Sequence, residues 1–235
     1  GNFKMSKIVI TLDGPAGVGK STLAHKVAAN LDLPYMDSGA MFRIIALELG
    51  EEALEMSEGQ LESELENFRF SIQGTGEASQ MCNNGKPAGD DIRTEEVAWL
   101  ASNLAALPIV RSFLRHAQRE LGKQTSLVCE GRDMGSEIFP QALCKFFLDA
   151  TPEERARRRS RQLAEKGKSA DYSTILDQIL TRDAQDRNRK ESPLRPAKDA
   201  VLIDTTDRTL EEVLELLLGH IKHTMSKRHA RQVAK

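Results

Sequence analysis

The sequence predicts an α/β fold: a five-stranded parallel sheet with helices on both faces, plus a small antiparallel insert. Three observations predict it. Five short apolar runs alternate with helical stretches: Ile8 to Leu12, Pro34-Tyr35-Met36, Leu127-Val128-Cys129, Lys145-Phe146-Phe147-Leu148 and Ala200-Val201-Leu202-Ile203. Runs that are apolar throughout belong to strands covered on both faces, as in parallel sheets. A glycine-rich loop joins the first run to a helix in which Leu23, Val27 and Leu31 recur at four-residue spacing. The segment from about 68 to 93 breaks the alternation. There, Phe68 to Ile72 has period-two character and Asn83-Asn84-Gly85-Lys86 reads as a tight hairpin turn.

The loop is Gly14-Pro15-Ala16-Gly17-Val18-Gly19-Lys20-Ser21, a match to G-x-x-x-x-G-K-[ST], followed by Thr22. Its setting between strand and helix marks a P-loop NTPase. Backbone N–H groups of such a loop turn inward on phosphate oxygens, and the helix that starts there adds its positive end. Lys20 would reach the β- and γ-phosphates, and the Ser21 hydroxyl would join a Mg²⁺ shell. The predicted ligand is a nucleoside triphosphate. No N-K-x-D follows, which speaks against a GTPase.

In parallel sheets ligands gather at the carboxyl ends of the strands. Asp37 and Ser38 follow the second run, Glu130 to Asp133 the third, and Asp149 the fourth. Arg182, Asp186 and Arg189 fall at i, i+4 and i+7, which places all three on one helix face. Arg155, Arg157, Arg158, Arg159 and Arg161 crowd the start of another helix. Plainer readings exist. Arg182 and Asp186 could form a surface ion pair, Asp37 or Ser38 could cap the next helix, and any one of these five arginines could face solvent. Trp99 reads as a packing residue, and the five histidines show no metal spacing.

Several pieces together resemble the bacterial-type cytidylate kinases (CMP/dCMP kinases). They are Asp13 to Thr22, Asp37-Ser38-Gly39-Ala40-Met41-Phe42-Arg43, Ile92-Arg93-Thr94-Glu95-Glu96-Val97, Gly131-Arg132-Asp133-Met134-Gly135 and Arg182-Asp183-Ala184-Gln185-Asp186-Arg187-Asn188-Arg189. The likeness runs from about residue 7 to 222. It implies an adenylate-kinase-like core at about 5–37, 98–152 and 170–222, with a monophosphate-binding insert at 38–97 and a lid at 153–169. It also implies transfer of the ATP γ-phosphate to CMP or dCMP with Mg²⁺.

Carried onto this chain, the resemblance puts cytosine contacts on Ser38, Arg111 and Asp133. Sugar contacts fall on Ser102, Arg182 and Asp186, and monophosphate contacts on Arg43, Arg132 and Arg189. Lys20, Arg132, Arg189 and Asp133 are the expected catalytic set. Arg157 and Arg159 are the lid arginines favoured for ATP. Asp133 has a chemical rationale of its own, since a carboxylate accepts from the cytosine amino group and is repelled by the uracil carbonyl. A kinase of UMP or of another small acceptor such as shikimate, and a nucleotide sensor without transfer, are the rival readings.

Composition sets outer bounds. The 235 residues carry 29% charged side chains and a net charge of −2, which gives no reason to expect nucleic acid or membrane as a partner. No run is apolar for the ~18 residues a span needs, and no secretory leader is seen. Cys82, Cys129 and Cys144 are isolated and odd in number, the usage of free thiols in a reducing, cytoplasmic setting. The expected form is a monomer. Gly1 to Lys4, ahead of Met5, read as a cloning scar, and residues 223–235 as a basic tail.

Overall fold

The structure, a computed structural model, describes residues 7–234. The scar reading of Gly1 to Lys4 lies outside them. Eight strands and eight α-helices are present among the described residues. Five strands form a sheet in the order β2-β6-β1-β7-β8: β2 is Tyr35–Asp37, β6 Leu127–Gly131, β1 Val9–Asp13, β7 Cys144–Asp149 and β8 Val201–Asp204. The chain divides into two compact units. Among the described residues, one is Ala28–Cys129 with Lys7 and Ile8, and the other is Val9–Val27 with residues 130–234.

The second unit is built on parallel pairing. Ile10 lies opposite Cys144 and Asp13 opposite Phe147, while Phe146 faces Val201 and Asp149 faces Asp204. Ile10, Thr11 and Leu12 are completely buried, so successive residues, which point to opposite faces, are covered on both. The edge strand β8 differs. Leu202 is 66% exposed while Ile203 is buried, so this run alternates instead of being covered throughout. Helix α1 (Lys20–Leu31) starts at the end of the glycine loop and buries Leu23, Ala24 and Val27.

The arginine-rich helix α6 (Pro152–Glu165) is capped by the Thr151 hydroxyl on the Glu154 N–H, with Pro152 at its first position. Helix α7 (Tyr172–Asn188) packs on it through Ile175 and Ile179 against Ala156. Helix α8 (Leu210–Val233) buries Val213, Leu217 and Ile221 and continues as helix through the basic segment to Val233. Among the described residues no single helix is long and apolar enough to cross a membrane.

In the first unit, Asp37 ends β2 and caps α2 (Ser38–Leu49), its Oδ1 accepting from the Ala40 N–H at 2.9 Å. Helix α3 (Glu58–Leu65) opens with a reciprocal Ser57–Gln60 capping box. The insert is a three-stranded sheet of β3 (Phe70–Gln73), β4 (Gln80–Asn83) and β5 (Lys86–Pro87), with antiparallel pairing throughout. Its turn is Asn84-Gly85, both at positive φ (53° and 77°), the mirror-image geometry that matches strand twist.

Helix α4 (Glu95–Ala105) turns Val97, Leu100, Ala101 and Leu104 inward against α2. Trp99 falls off that stripe and is 55% exposed, which corrects its reading as a packing residue. Helix α5 (Pro108–Gln124) completes the unit, burying Val110, Leu114 and Leu121. The three cysteines are free and buried.

Candidate active site

The glycine loop leaves β1 at Gly14, where φ is +151° and an added Cβ would lie 2.0 Å from the Leu148 carbonyl oxygen. Only glycine lets the chain pass so close to β7. Lys20 opens α1, and its Nζ crosses the loop to donate to the Pro15 carbonyl at 2.9 Å. Burial pushes the Lys20 ammonium down to about 7, aided by Arg132, while Glu130, Asp13 and Asp186 pull the other way. Lysine, arginine and three carboxylates thus share one field. Ser21 and Thr22 are exposed on the first turn of α1.

The second element of the site follows β6. Asp133, 7% exposed, precedes one π turn, Met134–Ile138. Arg132 donates from Nε to Asp186 Oδ2 at 3.0 Å, and the other Asp186 oxygen lies 4.0 Å from Arg189 Nη1. One carboxylate therefore holds two guanidinium groups together, an arrangement suited to a doubly charged anion. The expectation of Arg182, Asp186 and Arg189 on one helix face needs correction. Helix α7 ends at Asn188, and Arg189 caps it in extended backbone, its Nε donating to the Ser192 carbonyl. Asp186 meets Arg132 across the unit, and Arg182 is exposed one turn earlier.

Sequence reasoning passed over Asp13 as a functional side chain. It ends β1, is 5% exposed, and accepts the Met134 N–H at 2.9 Å and the Gly135 N–H at 2.8 Å. Burial pushes its carboxyl up to about 7 against those two donors. A carboxylate closing an apolar strand just before the glycine loop was the signal available for it.

The five arginines of α6 separate into distinct roles. Arg155 is 1% exposed, and its guanidinium forks onto Asp183, donating also to the carbonyls of Ala150 and of Ala16 in the glycine loop. Arg158 donates to the Thr205 hydroxyl and carbonyl. Glu154 accepts from Arg157, Arg158 and Arg161, at 3.0, 3.2 and 3.4 Å. A cavity of about 560 Å³ lies beside the loop, within the usual range of small-molecule sites. Gly17 to Gly19, Thr22, Arg159 and the 205–210 segment line it; Arg157 does not.

Ser38, Arg43, Ser102 and Arg111 belong to the first unit. Ser38 is buried in the first turn of α2, and Arg43 is half-buried one turn further on. Arg111 on α5 stacks over the Phe42 ring, 5.9 Å from its centroid. Ser102 is exposed on α4. Asp37, beside its capping role, pairs with Arg93 at 3.1 Å. Among the described residues no group of three or more His, Cys, Asp or Glu is placed to hold a metal.

A glycine loop between a parallel strand and a helix, with its lysine set among acidic strand ends, defines a P-loop phosphate-binding protein. Within that class the relationship is specific: the cytidylate kinase family model matches residues 10–223, and the chain belongs to this family. A cytidylate kinase of Oleidesulfovibrio alaskensis is 54% identical over 215 residues, covering 92% of this chain and 98% of that one. The cytidylate kinase of Maridesulfovibrio salexigens is 50% identical (89% and 94% covered), and that of Pasteurella multocida 42% identical (92% and 96%).

Proposed function

We propose that the protein transfers the γ-phosphoryl group of ATP to CMP or dCMP, giving ADP and the corresponding diphosphate. Membership of the cytidylate kinase family supports this. The observation that carries it is the Arg132–Asp186–Arg189 constellation in the unit that holds the glycine loop. A protein that only sensed ATP would have no need of a second anion-binding group.

An oxygen of the acceptor monophosphate attacks the γ-phosphorus, and the bond from that phosphorus to the β–γ bridging oxygen breaks. The attacking oxygen is already anionic, so positioning and charge stabilisation carry the rate. The loop from Gly14 to Thr22 cradles the ATP phosphates, with Lys20 on the β- and γ-groups. Arg43, Arg132 and Arg189 hold the acceptor phosphate and neutralise the transferring group. Ser102, Arg182 and Asp186 hold the sugar, while Ser38, Arg111 and Asp133 read cytosine. Arg157 and Arg159 close on ATP and exclude water, with Arg159 the better placed of the two because it lines the cavity.

The Ser21 hydroxyl, exposed beside Lys20, is a hard oxygen donor suited to Mg²⁺. A magnesium ion takes few protein ligands when phosphates supply the rest, and there it would neutralise charge on the β- and γ-oxygens. The protein acts as a cytoplasmic monomer in this reading.

ADP release from Mg-ATP, measured with CMP, dCMP, UMP and AMP offered separately, tests the reading. Turnover with CMP and dCMP and weak turnover with UMP is expected. Equal turnover with UMP would remove the base-reading role of Asp133, and no acceptor-dependent turnover would remove the kinase assignment.

A further inference from the structure

We propose that Asp13 is a positioning residue, through which the strand that launches the glycine loop fixes the turn bearing Arg132 and Asp133, so that it sets acceptor selectivity without touching either substrate. The inference rests on the cytosine-reading role given to Asp133 above.

Asp13 is covalently next to Gly14, and each of its carboxylate oxygens takes one N–H of the turn: Met134 at 2.9 Å and Gly135 at 2.8 Å. Those two donors immediately follow Asp133, whose own backbone sits at φ −137° and ψ 18°. A buried carboxylate gripping two successive amides leaves the preceding residue little freedom to rotate. The turn is also pressed onto the strands. An added Cβ at Gly135 would lie 2.8 Å from Thr11 Oγ1 and within 3.3 Å of the Lys145 side chain. Packing sets how close the turn lies to β1 and β7, and the Asp13 carboxylate sets its rotation. The same turn carries Arg132, whose guanidinium reaches Asp186. One side chain at the end of β1 thereby ties the loop that takes one nucleotide to the residues assigned to the other.

Within the turn the Asp133 carbonyl accepts from the Glu137 and Ile138 N–H groups, which leaves the Met134 and Gly135 N–H groups to Asp13. Asp13→Asn leaves a single acceptor oxygen and sets an amide N–H₂ against the second backbone donor. Asp13→Ala leaves both donors buried and unmet. Thr11→Val is the matched packing control, since the buried Thr11 hydroxyl has no hydrogen-bond partner among the described residues and the swap keeps the strand's shape.

Steady-state turnover of CMP and of UMP is measured for the wild type, Asp13→Asn, Asp13→Ala and Thr11→Val, with folding checked by thermal unfolding. The CMP/UMP ratio of kcat/KM is expected to fall about tenfold or more in Asp13→Asn, and further in Asp13→Ala, on the scale of one misplaced base contact. Thr11→Val keeps the wild-type ratio. A merely structural Asp13 would lower both activities together, and an unchanged ratio in folded Asp13→Asn overturns the inference. A ratio lost equally in Thr11→Val also overturns it, because packing alone would then set the turn. Wild-type protein that turns over no acceptor, or CMP and UMP alike, fails at the underlying reading instead, and the inference falls with it. If Asp13→Ala does not fold, Asp13→Asn decides alone.

Discussion

Replacing Asp183 with alanine tests the internal construction of the α6–α7 pair. Arg155 is 1% exposed, and the Asp183 carboxylate supplies its counter-charge through two hydrogen bonds, one of them 2.8 Å. The remaining partners are neutral, the carbonyls of Ala150 and Ala16. Truncation would leave a guanidinium buried with acceptors but no anion, and arginine does not shed its proton. Removing one member of a buried pair costs about 3–5 kcal/mol. A chain of this length loses about 2–4 °C per kcal/mol, so a Tm lower by roughly 6–20 °C is expected. Urea unfolding of Asp183→Ala and of the double variant Arg155→Met/Asp183→Leu measures it. The double variant should recover most of the loss, since an apolar pair of similar volume avoids the desolvation penalty. A cost below ~1 kcal/mol for Asp183→Ala would refute the reasoning, because only a solvated pair is that weak. Arg155 also grips the Ala16 carbonyl, so the same variant should bind ATP more weakly.

Three other outcomes are expected. Asp133→Asn should narrow the CMP/UMP preference by about ten- to a hundredfold in kcat/KM, since an amide can turn either a donor or an acceptor to the base. Gly14→Ala should cost several kcal/mol in urea unfolding, because the Leu148 carbonyl stands where the methyl would go and the backbone φ is +151°. Asp13 gives a pH test: its carboxyl is held at about 7 against an ordinary 3.8, so the native state keeps the proton longer than the unfolded chain. Its contribution is complete below pH 3.8 and is lost as the pH rises through about 7, by at most about 4 kcal/mol. Asparagine does not titrate, so wild type should lose ground to Asp13→Asn between pH 5 and pH 8 in urea midpoints; a gain for wild type would contradict the burial seen here.

The sequence was most readable where structure is local. The loop from Gly14 to Ser21, the Asn84-Gly85 turn and the five strand runs each carry their signal within a few residues, and each lies where that signal puts it. Long-range pairing was hidden. Arg155 resembles its four arginine neighbours in composition, and its burial is decided by a partner 28 positions away. A trace of it exists in α7, where Ile175, Ile179 and Asp183 follow one another at four-residue spacing. A carboxylate that continues an apolar stripe is a carboxylate with a buried partner. Arg189 was misplaced for a different reason: periodicity cannot say where a helix stops, and the backbone becomes extended at that residue.

The anchoring of helix α6 also bears on entropy. Its first turns are fixed by Arg155 in the interior and by Arg158 on Thr205, and Glu154 gathers Arg157, Arg158 and Arg161 into one fan. Like charges that would splay apart in water are thereby kept in register before any anion arrives. A long side chain ordered on binding forfeits about 0.5–1.5 kcal/mol of rotational freedom. Arginines already ordered by a shared carboxylate forfeit less, and they need only exchange one anionic partner for another. Glu154 in this sense keeps a cluster of cations ordered at the start of α6, a place an anion would take over at low cost in entropy.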